Sequence, residues 1–132
     1  MKDISEASAP AKVQTEMLEA DLQAQCVKWW RARGTTDPTH PYWARKFSSI
    51  SQRSVPDYLF ARERYGQHPA KIKFACEFKR PGCKINKDTG VMSTQAQVDE
   101  QEAMRLAGWF VFECNNFDKF KSTVLAYEAE QI

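Results

Sequence analysis

Ile72-Lys73-Phe74-Ala75-Cys76-Glu77-Phe78-Lys79 reads as a central strand that stops at Pro81-Gly82. Successive side chains of a strand point to opposite faces, so Glu77 and Lys79 share one face and Phe78 takes the other. On its N-terminal side, Tyr65-Gly66-Gln67-His68-Pro69 is a turn by composition. Before that turn comes a shorter strand, Asp57-Tyr58-Leu59-Phe60-Ala61, introduced by Ser54-Val55-Pro56 and closed by Arg62-Glu63-Arg64. Asp57 and Glu77 stand twenty positions apart with the turn between them, so a hairpin brings two carboxylates together.

Further out, Tyr42 to Ser48 reads as extended. It follows the turn-rich stretch Thr35-Thr36-Asp37-Pro38-Thr39-His40-Pro41. Leu18, Leu22, Cys26, Trp29 and Trp30 recur at helical spacing, which predicts a helix from about Thr15 to Arg33 with Gly34 as its stop. Beyond the central strand, Gln95 to Ala107 reads as a helix, with Val98, Met104 and Leu106 among its apolar positions and Gly108 as its stop. Trp109 to Cys114 is an aromatic-rich strand, and Phe117 to Glu128 is a closing helix. Residues 1–12 are small, polar and aperiodic, a frayed tail, and residues 13–132 fit a single domain. Helix, two or three strands, helix, strand and helix in that order predict a mixed α/β architecture.

The composition, 42% hydrophobic and 27% charged, is that of a globular protein, and no apolar stretch approaches the roughly 20 residues that span a bilayer. The acid-bearing start Met1-Lys2-Asp3-Ile4-Ser5 is not a secretory signal, so the expected location is the cytoplasm. Cys26, Cys76, Cys83 and Cys114 lack the close spacing of a structural zinc site. The first two and the last sit in apolar segments and read as core, while Cys83 lies in a polar turn. Net charge is only +2, yet residues 27–90 hold fourteen basic side chains against five acids. A locally basic domain suits a polyanion, although charge alone equally fits a solubilising surface.

The chemistry concentrates in Pro56-Asp57 and Glu77-Phe78-Lys79. Two acids at close range repel, and a divalent cation relieves that repulsion; hard oxygen ligands favour Mg²⁺ or Mn²⁺. A lysine on the same face can orient water or stabilise charge growing on a phosphate. Arg80, Lys84 and Lys87 follow directly and are candidates for phosphate contact. Taken singly, Glu-x-Lys is a salt bridge at a strand end, and Glu19 is an exposed helix acid. Trp29 and Trp30 read as packing residues in preference to base-stacking platforms, and His40 as an incidental loop residue.

In this order, these pieces resemble the PD-(D/E)XK nucleases, and among them the small stand-alone VRR-Nuc domains of phages and bacteria. The likeness runs from about Glu19 to Glu113. Glu19-Ala20-Asp21-Leu22-Gln23 is similar to the family's E-x-x-(I/L)-Q opening, and Gln97, eleven residues before Gly108, completes the pattern. The resemblance implies a restriction-endonuclease-like core, a mixed central sheet flanked by helices. It implies Asp57 and Glu77 as metal ligands, with the Phe78 carbonyl as a third, and Lys79 acting on the water and the scissile phosphate. Glu19 would serve a second metal or its water, and Gln97, or Gln95 in another register, would position the site. The family often reads G-x-P-D where this chain has Ser54-Val55-Pro56-Asp57, which puts the local turn in question but not the carboxylates.

The expected activity is thus Mg²⁺-dependent hydrolysis of DNA, with Mn²⁺ able to substitute. The resembling domains include dimeric enzymes that cut four-way (Holliday) junctions, so a homodimer on branched DNA is the corresponding expectation, in a bacterial cell or phage-infected host. Trp43, Phe117 and Phe120 are aromatic candidates either for that interface or for the core. The alternatives are a nuclease of ordinary duplex or flaps, a nucleic-acid-binding module without catalysis, and a metal-binding regulator.

Overall fold

The computed structural model describes residues 11–34, 41–47, 54–63 and 72–131. The tail over 1–10, the turn with His40 and the hairpin turn around residue 67 lie outside them. The elements are α1 (Ala11–Ala32), β1 (Trp43–Lys46), β2 (Tyr58–Arg62), β3 (Ile72–Phe78), α2 (Gln95–Leu106), β4 (Phe110–Cys114) and α3 (Phe117–Glu130). The chain is α/β. Ala11 and Lys12 belong to α1 and not to a tail. Both are strong helix formers, and apolar periodicity marks only the part of a helix that faces a core. Gly34 ends that run where the chain turns back, and a Cβ there would meet the Tyr42 ring at 2.6 Å.

The four strands form one mixed sheet in the order β1-β2-β3-β4. β1 with β2 and β2 with β3 are antiparallel, while β3 and β4 are parallel. A parallel pair needs a crossover between its strands, and α2 supplies it. β3 is therefore interior to the sheet. Ile72, Phe74, Cys76 and Phe78 alternate onto one face and are fully buried there. Phe74 stacks on Phe60 with ring centroids 4.7 Å apart, Trp30 of α1 meets Phe74 edge-on at 5.2 Å, and Phe120 of α3 stacks on Phe78 at 5.8 Å. Each such pair adds about 0.5–1.5 kcal/mol beyond simple burial. α1 and α3 thus close this face over an aromatic core.

The opposite face carries Ala75, Glu77 and, on β4, Glu113. Its cover is polar. Gln101 of α2 donates to Ser93 Oγ at 3.0 Å, and Ser93 Oγ donates to Glu113 Oε2 at 2.7 Å. α2 therefore lies on the side of the sheet away from α1 and α3.

α1 also holds the edge strand: Trp30 Nε1 donates to the Trp43 carbonyl at 2.9 Å and Arg31 to the Ala44 carbonyl at 2.8 Å. At the far end of β2, Glu128 of α3 accepts from Arg33 at 2.7 Å and from Arg62 at 2.9 Å. Both guanidiniums lie over the Tyr42 ring.

The helix faces differ in places from their apolar pattern. Leu106 is 85% exposed, and the buried residue of α2 is the polar Gln101. Leu18 is exposed as well. Phe120 is fully buried and Phe117 packs edge-on against Trp29, so of the three aromatic interface candidates only Trp43 is exposed. Cys26, Cys76 and Cys114 are buried, Cys83 is half-exposed, and all four thiols are free. Among the described residues no helix is long and apolar enough to cross a membrane.

Candidate active site

The β2/β3 register decides where the two acids stand. Tyr58 faces Cys76, so one step back along β2 Asp57 comes opposite Glu77. Antiparallel partners share a face, and both carboxylates accordingly emerge on the α2 side. The turn before Asp57 forms with Ser54 in place of the glycine common in the family resembled, and it rests on a fully buried Pro56. Two backbone bonds fix Asp57: Phe78 N–H donates to its Oδ2 at 2.9 Å, and Phe47 N–H donates to its carbonyl at 2.8 Å.

Glu77 is only 4% exposed, and its Oε1 is buried without a hydrogen-bond donor. Burial first, then the charge of Asp57, pushes the Glu77 carboxyl up to about 9. Burial also raises Asp57, against the lowering effect of the Phe78 N–H. At about 4 Å, two like charges in a protein-like dielectric of about 20 repel by about 4 kcal/mol. That repulsion leaves two ways to occupy the site. Either one proton sits between Asp57 and Glu77, or a cation replaces it.

Lys79 continues the line of β3 past its end, since its N–H donates to the Cys114 carbonyl at 2.8 Å. Its ammonium donates to Gln97 Oε1 at 2.9 Å and lies 3.9 Å from Glu77 Oε2. Gln97 is held in turn by a capping box. Thr94 Oγ1 accepts from Gln97 N–H at 3.3 Å, and Gln97 Oε1 accepts from Thr94 N–H at 2.9 Å. Gln97 Nε2 reaches Glu77 Oε2 at 3.4 Å. The first turn of α2 thus orients both the lysine and one acid. Gln95 is exposed and bonded to Asp99, away from the cluster, so Gln97 is the glutamine that meets Lys79.

Glu19 of α1 is half-buried. Burial raises its carboxyl and Asp57 raises it further, while Lys79, Lys46 and Arg80 act the other way. It therefore lies within electrostatic reach of the carboxylate pair. Lys46, on the last residue of β1 and paired with Tyr58, faces both Glu19 and Asp57 in charge. Sequence reasoning counted Lys46 among the basic residues and missed its place here. Arg80, Lys84 and Lys87 are exposed on the segment that leaves Lys79.

Among the described residues no three His, Cys, Asp or Glu side chains form a ready-made metal cluster. The donor set still suits a hard cation. Mg²⁺ keeps most of its waters and is commonly bound by one or two carboxylates together with substrate phosphate. The orphaned Glu77 Oε1 beside Asp57 supplies such a pair. In comparisons with known proteins, no family model, curated protein or solved structure matches the chain.

Proposed function

We propose that the chain is a Mg²⁺-dependent DNA endonuclease with a restriction-endonuclease-like core, as its resemblance to the PD-(D/E)XK nucleases implies. One observation carries the reading: a buried carboxylate pair, Asp57 with Glu77, whose Oε1 has no donor, set against a lysine that a capping glutamine holds in place. A phosphate-binding surface alone gains nothing from burying two acids. Asp57 and Glu77 are the metal-holding groups, with the Phe78 carbonyl as a third ligand. When bound, Mg²⁺ or Mn²⁺ supplies positive charge to the scissile phosphate and a more acidic water. Lys79, oriented by Gln97, stabilises charge that grows on the phosphate oxygens. Glu19 acts from α1 on a second cation or its water. Arg80, Lys84 and Lys87 bind the flanking phosphates and set the register of the strand.

The preferred DNA is branched, a four-way junction above all, and two copies related by a two-fold axis cut its opposed strands. The setting is the cytoplasm of a bacterial or phage-infected cell. The second reading is a nucleic-acid-binding module without catalysis. Labelled duplex, flap, splayed-arm and four-way DNAs, incubated with Mg²⁺ or with EDTA, separate the two. The proposal expects Mg²⁺-dependent products, most from the junction, and light scattering at twice the mass of one chain. Binding without product in any metal would leave the binding module standing.

A further inference from the structure

The segment from Lys79 to Thr94 is long for a connection, yet it is tied down at many points. Cys83 N–H donates to the Arg80 carbonyl at 3.0 Å, Asn86 N–H to the Val91 carbonyl at 2.7 Å, and Gly90 N–H to the Asn86 carbonyl at 2.8 Å. Gly82 and Gly90 take positive φ, at 86° and 76°, which lets the chain reverse twice. Glu113 fixes the return, accepting from Met92 N–H and Ser93 Oγ at 2.7 Å each. Such bonding makes a stiff loop. It nevertheless holds Ile85 63% exposed and Val91 38% exposed. Both side chains keep apolar surface that a ligand could cover, worth part of the roughly 1.5–3 kcal/mol that full burial of such a side chain gives.

Ile85 and Val91 line one shallow cavity of about 230 Å³ together with Met92, Asn115 and Lys119. Glu113 lines it too, and Glu113 is the register partner of Glu77 on the neighbouring strand. Adjacent strands lie about 4.8 Å apart, so the cavity lies one strand from Glu77, on the side of β3 away from Asp57. Its surroundings are cationic: Arg80, Lys84 and Lys87 on the loop and Lys119 on α3, all exposed.

We infer that this cavity between the 79–94 loop and the start of α3 receives one unstacked nucleobase, from the nucleotide next to the phosphate held at the carboxylate pair. The inference takes its nucleic-acid partner from the proposed function and adds to it a substrate class. Ile85, Val91 and Met92 offer apolar surface to the faces of a base, and the Asn115 amide offers a donor and an acceptor to its edge. The surrounding cations suit the phosphates on either side. A base within a duplex has both faces covered by stacking and must be unstacked at a cost, so an unpaired or frayed nucleotide enters most readily. Branched DNAs, whose nucleotides at the branch are unpaired or the most readily unstacked, are therefore the fitting substrates.

The test uses the full chain in EDTA and two forked DNAs. One carries an unpaired 2-aminopurine at the branch, and the other an abasic site at the same position. The wild-type protein should bind the base-bearing fork about tenfold more tightly and change the 2-aminopurine fluorescence on binding. Ile85→Ser combined with Val91→Ser should bring the two affinities together, with thermal melting used to verify that the variant is folded. Equal wild-type affinity for both forks would overturn the inference, as would discrimination that survives in the double variant. Cleavage of the same forks with Mg²⁺ is read separately. Discrimination without cleavage removes the nuclease and keeps the pocket, and cleavage without discrimination does the reverse.

Discussion

Asparagine at position 57 or glutamine at position 77 would remove charge with almost no change in shape. Asp57→Asn and Glu77→Gln should therefore abolish Mg²⁺-dependent cleavage while circular dichroism and DNA binding stay close to wild type; wild-type cutting by either variant would exclude the site. Burial and Asp57 raise the Glu77 carboxyl from its ordinary 4.5 to about 9, so without metal the folded state binds more protons than the unfolded one between those values. Stability must then fall as pH rises through that interval. Urea denaturation in EDTA should show this loss, Glu77→Gln should flatten it, and Mg²⁺ should reverse it at the alkaline end. Asp57, Glu77 and Lys79 were legible in the sequence, because strand alternation alone puts Glu77 and Lys79 on one face. The sequence alone leaves Gln97 and Gln95 open, and the capping box of Thr94 and Gln97, which fixes where the helix begins, settles which of them meets Lys79. Lys46 was not legible, since its place depends on a β1/β2 register that no local pattern encodes.

At the scale of elements, the start of α2 does two jobs with one side chain. Gln97 Oε1 accepts from both Thr94 N–H and Lys79 Nζ, so the cap and the site stand or fall together. Thr94→Ala should cost about 1 kcal/mol of stability, the usual value of such a cap. Single-turnover cleavage should fall by more than that loss explains, because the helix start that carries Gln97 loses the hydroxyl that accepts from its backbone N–H. A drop in stability with an unchanged rate would separate cap from site. Strand boundaries agree with the sequence reading to within a residue or two, since apolar and aromatic runs end at proline, glycine or charge. The order of strands was less accessible. Pairing β3 with β4 in parallel joins residues more than thirty apart, and only the helix between them hints at it.

For the molecule as a whole, the basic surface predicts binding that weakens steeply with salt as phosphate neutralisation releases counterions. Arg80→Ala with Lys84→Ala should lower the slope of log affinity against log salt by about one unit for each phosphate no longer neutralised. An unchanged slope would assign these charges to solubility. The ion cluster at the other end of the sheet carries a different consequence, one for the order of folding. α3 leaves the ribosome after every strand, and it brings Glu128, the acceptor shared by Arg33 and Arg62. Until then Arg33 and Arg62 lack that acceptor, and the aromatic face of the sheet lacks Phe120 and Val124. Glu128→Ala should repeat that condition in the finished chain, lowering stability by about 3 kcal/mol and speeding proteolysis within the strands, far from the substituted residue.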